Sequence, residues 1–199
     1  MKCDRCNEEP VYRCNACGEP VCGPHARLRT VCPLCLKKKK TKFRTARVSS
    51  EREKAKIRGL VKRFWGEEEQ LSFDKKLNVT DLPAFVAQTD EGIVGFASFA
   101  ETDDAIIVVA LGILPQYQNT GMGKSLISKI ETEARKLRKK RLLVSTSNDN
   151  LPALSFYQAL GFQIYEAKPD VIAEKHGGLI PGIGGIPLRD ELRLRKILY

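Results

Sequence analysis

Residues 108–125 read Val-Val-Ala-Leu-Gly-Ile-Leu-Pro-Gln-Tyr-Gln-Asn-Thr-Gly-Met-Gly-Lys-Ser. The stretch starts as an apolar run, breaks at Pro115, and then places Gly121 and Gly123 just ahead of a long helical pattern. A strand, a turn and a helix start in that order make a phosphate cradle. Glycines let a ligand approach the main chain, and the first helical turn leaves its N–H groups without acceptors. The positive end of the helix dipole then favours a pyrophosphate.

Three nucleotide-binding patterns compete for this loop. A Walker A loop ends in Gly-Lys-Ser, as at residues 123–125, but its first glycine would fall at Gln118. A dinucleotide fingerprint needs a third glycine, and Gly121-Met122-Gly123 continues instead as Lys124-Ser125-Leu126. The pattern Q-x-x-G-x-G is met by Gln118, Gly121 and Gly123. With Leu111, Ile113, Pro115 and Tyr117 ahead of it, it resembles motif A of the GNAT superfamily of N-acetyltransferases. A second block, Asn150, Ala153, Phe156-Tyr157 and Gly161-Phe162, resembles that family's motif B. The resemblance covers residues 41–199.

Working outward, the elements follow from pattern. Residues 41–48 suit a strand, and Ser50 with Glu53 forms a capping box for a helix that Gly66 ends. Residues 67–82 read as loop with a short helix at most. Strands are predicted at 84–88, 92–100 and 105–113, with hairpin-length turns between them, hence an antiparallel meander. Beyond Gly123 a helix to about Lys140 carries Leu126, Ile127, Ile130, Ala134 and Leu137 on one face. A strand at 142–145, a helix at 151–160, a strand at 162–166, a Gly/Pro-rich loop at 177–187 and a last strand at 190–197 complete the order. This is an α+β chain. The resemblance implies the acyl-CoA N-acyltransferase fold, a mixed, mostly antiparallel sheet that opens to admit acetyl-CoA.

All seven cysteines lie in the first 35 residues, with His25. They form four ligand-x-x-ligand pairs: Cys3/Cys6, Cys14/Cys17, Cys22/His25 and Cys32/Cys35. Each is a knuckle on which two side chains converge on one tetrahedral zinc, and eight ligands fill two sites. The short link from Cys17 to Cys22 favours an interleaved arrangement, with Cys3, Cys6, Cys22 and His25 on one metal and the other four cysteines on the second. That spacing resembles B-box-like cross-brace fingers. Saturated sites are structural, and a piece this short needs its metal to fold. The expected division is a two-zinc finger at 1–36, a basic linker at 37–40, and the transferase domain at 41–199.

Composition sets the remaining bounds. The chain has 199 residues, 42% hydrophobic and 29% charged, with no apolar run long enough to span a membrane. Met1-Lys2-Cys3 enters the first cysteine pair at once, so a cytoplasmic protein is expected, where disulfides are disfavoured. The net charge of +10 is uneven: residues 1–47 carry 12 Lys and Arg against 4 Asp and Glu. A solvated linker explains the lysine run, whereas an acidic partner, nucleic acid or protein, would explain the whole module.

The resemblance assigns roles. Main-chain groups at Leu111 and Ile113, with Gly112 between them, would hold the pantetheine arm and polarise the thioester. Backbone N–H groups of Asn119, Thr120, Gly121, Met122, Gly123, Lys124 and Ser125 would hold the pyrophosphate, with Gln118 beside it. Asn150 would bond the cofactor or cap its helix. Tyr157 would protonate the departing sulfur. The acceptor is an amine. No general base is evident: Glu67–Glu69, Glu101, Asp103, Asp104, His176 and Glu191 are the titratable groups near the expected cleft. The competing function is a regulatory protein that binds acyl-CoA and docks through its basic finger.

Overall fold

The computed structural model describes residues 12–13, 20–21 and 41–198. Strands β1 (Tyr12–Arg13) and β2 (Pro20–Val21) pair antiparallel. The eight proposed zinc ligands and the linker at 37–40 lie outside the described residues.

From Thr41 onward one seven-stranded sheet organises the chain. Its strands are β3 (Arg44–Arg47), β6 (Ala84–Thr89), β7 (Gly92–Glu101), β8 (Ala105–Ile113), β9 (Arg141–Ser147), β10 (Gln163–Lys168) and β13 (Glu191–Ile197), in the order β10-β13-β9-β8-β7-β6-β3. Every neighbouring pair is antiparallel except β8 with β9. A parallel neighbour requires a crossover, and helix α2 (Met122–Lys136) supplies it. Helix α1 (Glu51–Trp65) covers one face of the sheet through Ile57 and Val61, against Val86, Phe96 and Ala110. Helices α2 and α3 (Leu151–Ala159) cover the other, where Leu126, Ile127, Ile130 and Leu154 meet Phe99, Ile106, Val108, Leu142 and Leu194.

The local signals read from the sequence act as expected in α1. Ser50 accepts the Glu53 N–H, the Glu53 carboxylate accepts the Ser50 N–H, and Gly66 closes the helix in the left-handed region at φ 78°. Three expectations need correction. Residues 67–82 are not a loop with a short helix: they contain a hairpin, β4 (Glu69–Ser72) and β5 (Lys75–Asn78). Its turn residues Phe73 and Asp74 both have positive φ, at 53° and 63°, the mirror-image turn that fits strand twist. The usual Asn-Gly signal for that turn is missing. The stretch 177–187 also carries order, a small flap of β11 (Ile180–Pro181) and β12 (Pro187–Leu188), preceded by a helix α4 (Val171–Lys175). Helix α2 stops at Lys136, short of Lys140, because Arg138 turns left-handed at φ 55° and Lys140 donates to the Asp104 carbonyl at 2.8 Å.

Ser50→Ala removes the side-chain half of the capping box. It should lower stability by about 1 kcal/mol, a fall in Tm of about 2–4 °C by calorimetry.

Candidate active site

The site is a gap between two neighbouring strands. Strand β8 pairs with β9 only from Ala105–Arg141 to Val108–Val144. One residue later β8 bulges against β7: Phe99 faces Val108 and Ser98 faces Ala110, which leaves Val109 as the extra residue. A bulge bends its strand and raises its twist. Beyond it β8 stays with β7 through Gly95–Ile113, while β9 continues beside β13 through Ser147–Glu191. The two strands therefore part after Val108 and Val144.

The bulge also resets which way the main chain faces. Leu114 donates its N–H to the Val94 carbonyl at 2.9 Å, so by alternation Gly112 and Ala110 also bond toward β7. The peptide groups of Leu111 and Ile113 then point the other way, into the gap, and the Ile113 carbonyl accepts from Gln118 Nε2 at 3.1 Å. Side chains follow the same reset. Leu111 and Ile113 pack toward α2 and α3, while Gly112 faces α1, where a Cβ would lie 2.5 Å from Phe64 Cε2. That contact is why residue 112 has no side chain.

At the mouth of the gap the chain makes a short 3-10 turn, Pro115–Tyr117, and enters α2 at Gly121, left-handed at φ 91°. Ser125 donates to the Gly121 carbonyl at 3.0 Å, the first bond of the helix, and no side chain caps the turn. The N–H groups of Met122, Gly123 and Lys124 thus have no acceptor within the helix, and they carry its positive end. Ser125 lies outside this set: its N–H is spent, and its hydroxyl is 3.4 Å from Thr45 Oγ1 on β3. Met122 buries its side chain in the core, and Thr120 Oγ1 donates to the Tyr117 carbonyl at 2.6 Å. A Cβ on Gly123 would touch the Phe156 ring at 3.2 Å, so this glycine lets α2 and α3 meet closely.

A cavity of about 560 Å³ runs from the gap to that helix start. It is lined by Leu111, Ile113, Gln118, Asn119, Gly121, Gly123, Lys124, Asn150 and Tyr157, together with other residues of α3. Of the residues singled out from the sequence, Gly112, Thr120, Met122 and Ser125 do not line it. Asn150 caps α3, its Oδ1 accepting the Ala153 N–H at 3.1 Å, which leaves its amide donors for other partners. Tyr157 is buried between Phe156 and Phe162, and burial pushes its hydroxyl well above the ordinary phenol range. It stays protonated at any physiological pH. Tyr117 donates to Glu91 at 2.5 Å, and that bond, with burial, raises it as well.

Most of the carboxylates named from the sequence are already engaged. Glu101 and Asp104 pair with Lys139 and Arg141 at the far end of β8, Glu67 pairs with Lys175, and buried Glu191 pairs with Arg193 while accepting the Phe73 N–H. His176 is exposed at the end of α4. Sequence reading missed Asn148 and Asp149. Asn148 holds Pro187, Arg189 and Asp190, and Asp149 accepts the Ile183 N–H at 2.8 Å, so together they latch the flap. Nothing in residue type or spacing marks a loop-to-loop latch in advance.

The family model for the acetyltransferase (GNAT) family matches residues 50–162. The uncharacterised protein YxbD of Bacillus subtilis is 29% identical over 147 residues, which are 71% of this chain and 91% of YxbD. An IAA acetyltransferase from Bacillus cereus superposes with a TM-score of 0.66 at 22% identity, over 79% of this chain and 100% of that one. A GNAT family acetyltransferase from Elizabethkingia anophelis, solved with acetyl-CoA bound, superposes at 0.59 with 17% identity, over 81% of this chain and 100% of that one.

The two loop glycines serve different ends, which substitution separates. No atom lies within 4 Å of a Cβ on Gly121, so Gly121→Ala meets only backbone strain. It should cost about 1–2 kcal/mol in a urea titration, and Gly121→Asn, which tolerates the left-handed region, should recover much of it.

Proposed function

This chain belongs to the acetyltransferase (GNAT) family, and on that premise we propose that it moves an acetyl group from acetyl-CoA to a primary amine. The observation that carries the proposal is the parted strand pair leading to an uncapped helix start. In this reading Leu111 and Ile113 bond the pantetheine arm through their main chain and polarise the thioester carbonyl. The N–H groups of Met122, Gly123 and Lys124 hold the pyrophosphate, and Gln118, Asn119 and Lys124 flank it. The Asn150 amide reaches the pantetheine side. A neutral amine attacks the carbonyl carbon, the carbon–sulfur bond breaks as Tyr157 donates its proton to the departing sulfur, and the proton shed by the new amide nitrogen returns through water to the Tyr157 oxygen. Burial keeps the Tyr157 hydroxyl protonated at the start of each turnover but makes it a weaker acid, so it gives up its proton only as negative charge develops on the sulfur.

The N-terminal module, in the same reading, binds two structural zinc ions through Cys3, Cys6, Cys14, Cys17, Cys22, His25, Cys32 and Cys35. The donor set supports it, since thiolates and an imidazole in paired knuckles are zinc chemistry. The module's surplus of positive charge suits an acidic docking partner, nucleic acid or protein, in the cytoplasm.

Tyr157→Phe should lower kcat about 10²- to 10³-fold while the Kd for coenzyme A, measured by calorimetry, stays near that of the native protein. If coenzyme A binds and no amine is ever acetylated, the chain is a sensor rather than a transferase. Elemental analysis of the purified protein should find two zinc ions per chain. Deleting residues 1–40 should remove both and spare acetyl transfer; a zinc-free native protein would overturn the metal assignment.

A further inference from the structure

We infer that the outer side of helix α1 is a docking face for the phosphate backbone of duplex DNA. Ile57 and Val61 are buried against the sheet, which fixes what the helix shows to solvent. Helical spacing sorts the outer residues into three lines. Arg52, Lys56 and Arg63 form one row, Lys54, Arg58 and Lys62 another, and Ala55 and Gly59 the crest between them; all are exposed.

The rows differ in charge balance. Lys54 pairs with Glu51 at 2.7 Å, and Arg58 and Lys62 reach Glu68 at 3.4 and 3.6 Å, with exposed Glu69 next along β4. Arg52, Lys56 and Arg63 form no ion pair among the described residues. Glu53, their acidic neighbour in the sequence, spends its carboxylate on Ser49 and Ser50. From Arg52 to Arg63 the free row spans about 17 Å at the helical rise. Strand β3 extends the same face. Ala46 and Val48 join the cluster under α1, so by alternation Arg44 faces that side, bonded to the neutral Gln88 at 3.0 Å. Four lysines, 37–40, precede it in the sequence.

Gly59 is an independent pointer. Glycine weakens a helix interior, yet among the described residues nothing lies within 4 Å of a Cβ placed there. No neighbour in the fold requires it. A crest of Ala55 and Gly59 lets an outside partner approach the helix closely, beside the free cations.

The chemistry selects that partner. A protein interface draws its energy from anchors buried in pockets, and neither the free row nor the crest carries a large apolar side chain. Aligned cations instead neutralise phosphates. With no aromatic ring in the row or crest on which unpaired bases could stack, a duplex fits better than a single strand. The major groove of B-form DNA admits an α-helix, whereas that of duplex RNA is too narrow. Alanine and glycine facing the bases make the contact blind to sequence.

The test is fluorescence anisotropy of a labelled DNA duplex of about 20 base pairs, titrated with the full chain from about 50 to 200 mM salt. Combining Arg52→Gln, Lys56→Gln and Arg63→Gln should weaken binding about tenfold or more and flatten the slope of log K against log salt by about 3, each single change contributing about 1. Removing equal charge across the sheet, with Lys129→Gln, Lys136→Gln and Lys140→Gln, should leave both nearly unchanged. Gly59→Leu should raise Tm by about 2–4 °C yet weaken the duplex about threefold or more. Should the triple variant fail to fold, the single changes and Gly59→Leu still decide. The inference is overturned if the native chain ignores the duplex, or if the glutamine changes leave affinity and slope intact. It is equally overturned if Gly59→Leu binds undiminished, or if single-stranded DNA, duplex RNA or polyglutamate binds as tightly as the DNA duplex.

Discussion

The site depends on hydrogen bonds that two adjacent strands do not make. Strands β8 and β9 begin as an ordinary parallel pair and separate after Val108 and Val144, although both run on for several residues. Unpaired peptide groups inside a sheet are costly unless something else bonds them. Here the edges are kept apart by packing on either side: β7 holds the outgoing half of β8, and β13 holds the outgoing half of β9. The bulge at Val109 lets β8 turn away without losing its outer partner. A linear ligand with its own amides can then complete the interrupted ladder, and pantetheine is such a ligand.

Other features serve that opening. The same bulge puts Gly112 under Phe64 and Trp65 and sends Leu111 and Ile113 toward the cavity, so one extra residue decides both main-chain and side-chain directions. Strand β3 buttresses α2 through Thr45 with Ser125 and Arg47 with Glu133, which steadies the first turn at the gap's mouth. On the other side, Arg193 ties Asp74, Glu166 and Glu191 together and fixes the β4–β5 hairpin over β9 and β13. Only Arg193 and Glu191 of this group are buried, and that buried pair specifies geometry more than it adds stability.

Elements with strong local signals were legible in the sequence. The apolar run 105–113, the break at Pro115, the capping box at Ser50 and the turns around Thr89 and Thr102 each act over a few residues, and the meander and helices follow from them. Cavity-lining residues such as Gln118, Gly121, Gly123, Asn150 and Tyr157 were legible because they sit in two compact motifs. What escaped was set by distant contacts. The Phe73-Asp74 turn is held by Glu191 and Arg193, more than a hundred residues away, and the flap by Asn148 and Asp149. Trp65 drew no reading from the sequence; its place over Gly112 depends on a bulge that no residue type announces.

Residue-resolved amide hydrogen exchange, with and without coenzyme A, reaches the central claim most directly. The alternation along β8 predicts that bound coenzyme A slows exchange at Leu111 and Ile113, and at Gly123 and Lys124 on the helix start. Gly112 and Leu114, already bonded to β7, should change little. Uniform protection along the strand, or protection that misses Leu111 and Ile113, would contradict a cofactor seated between the parted strands.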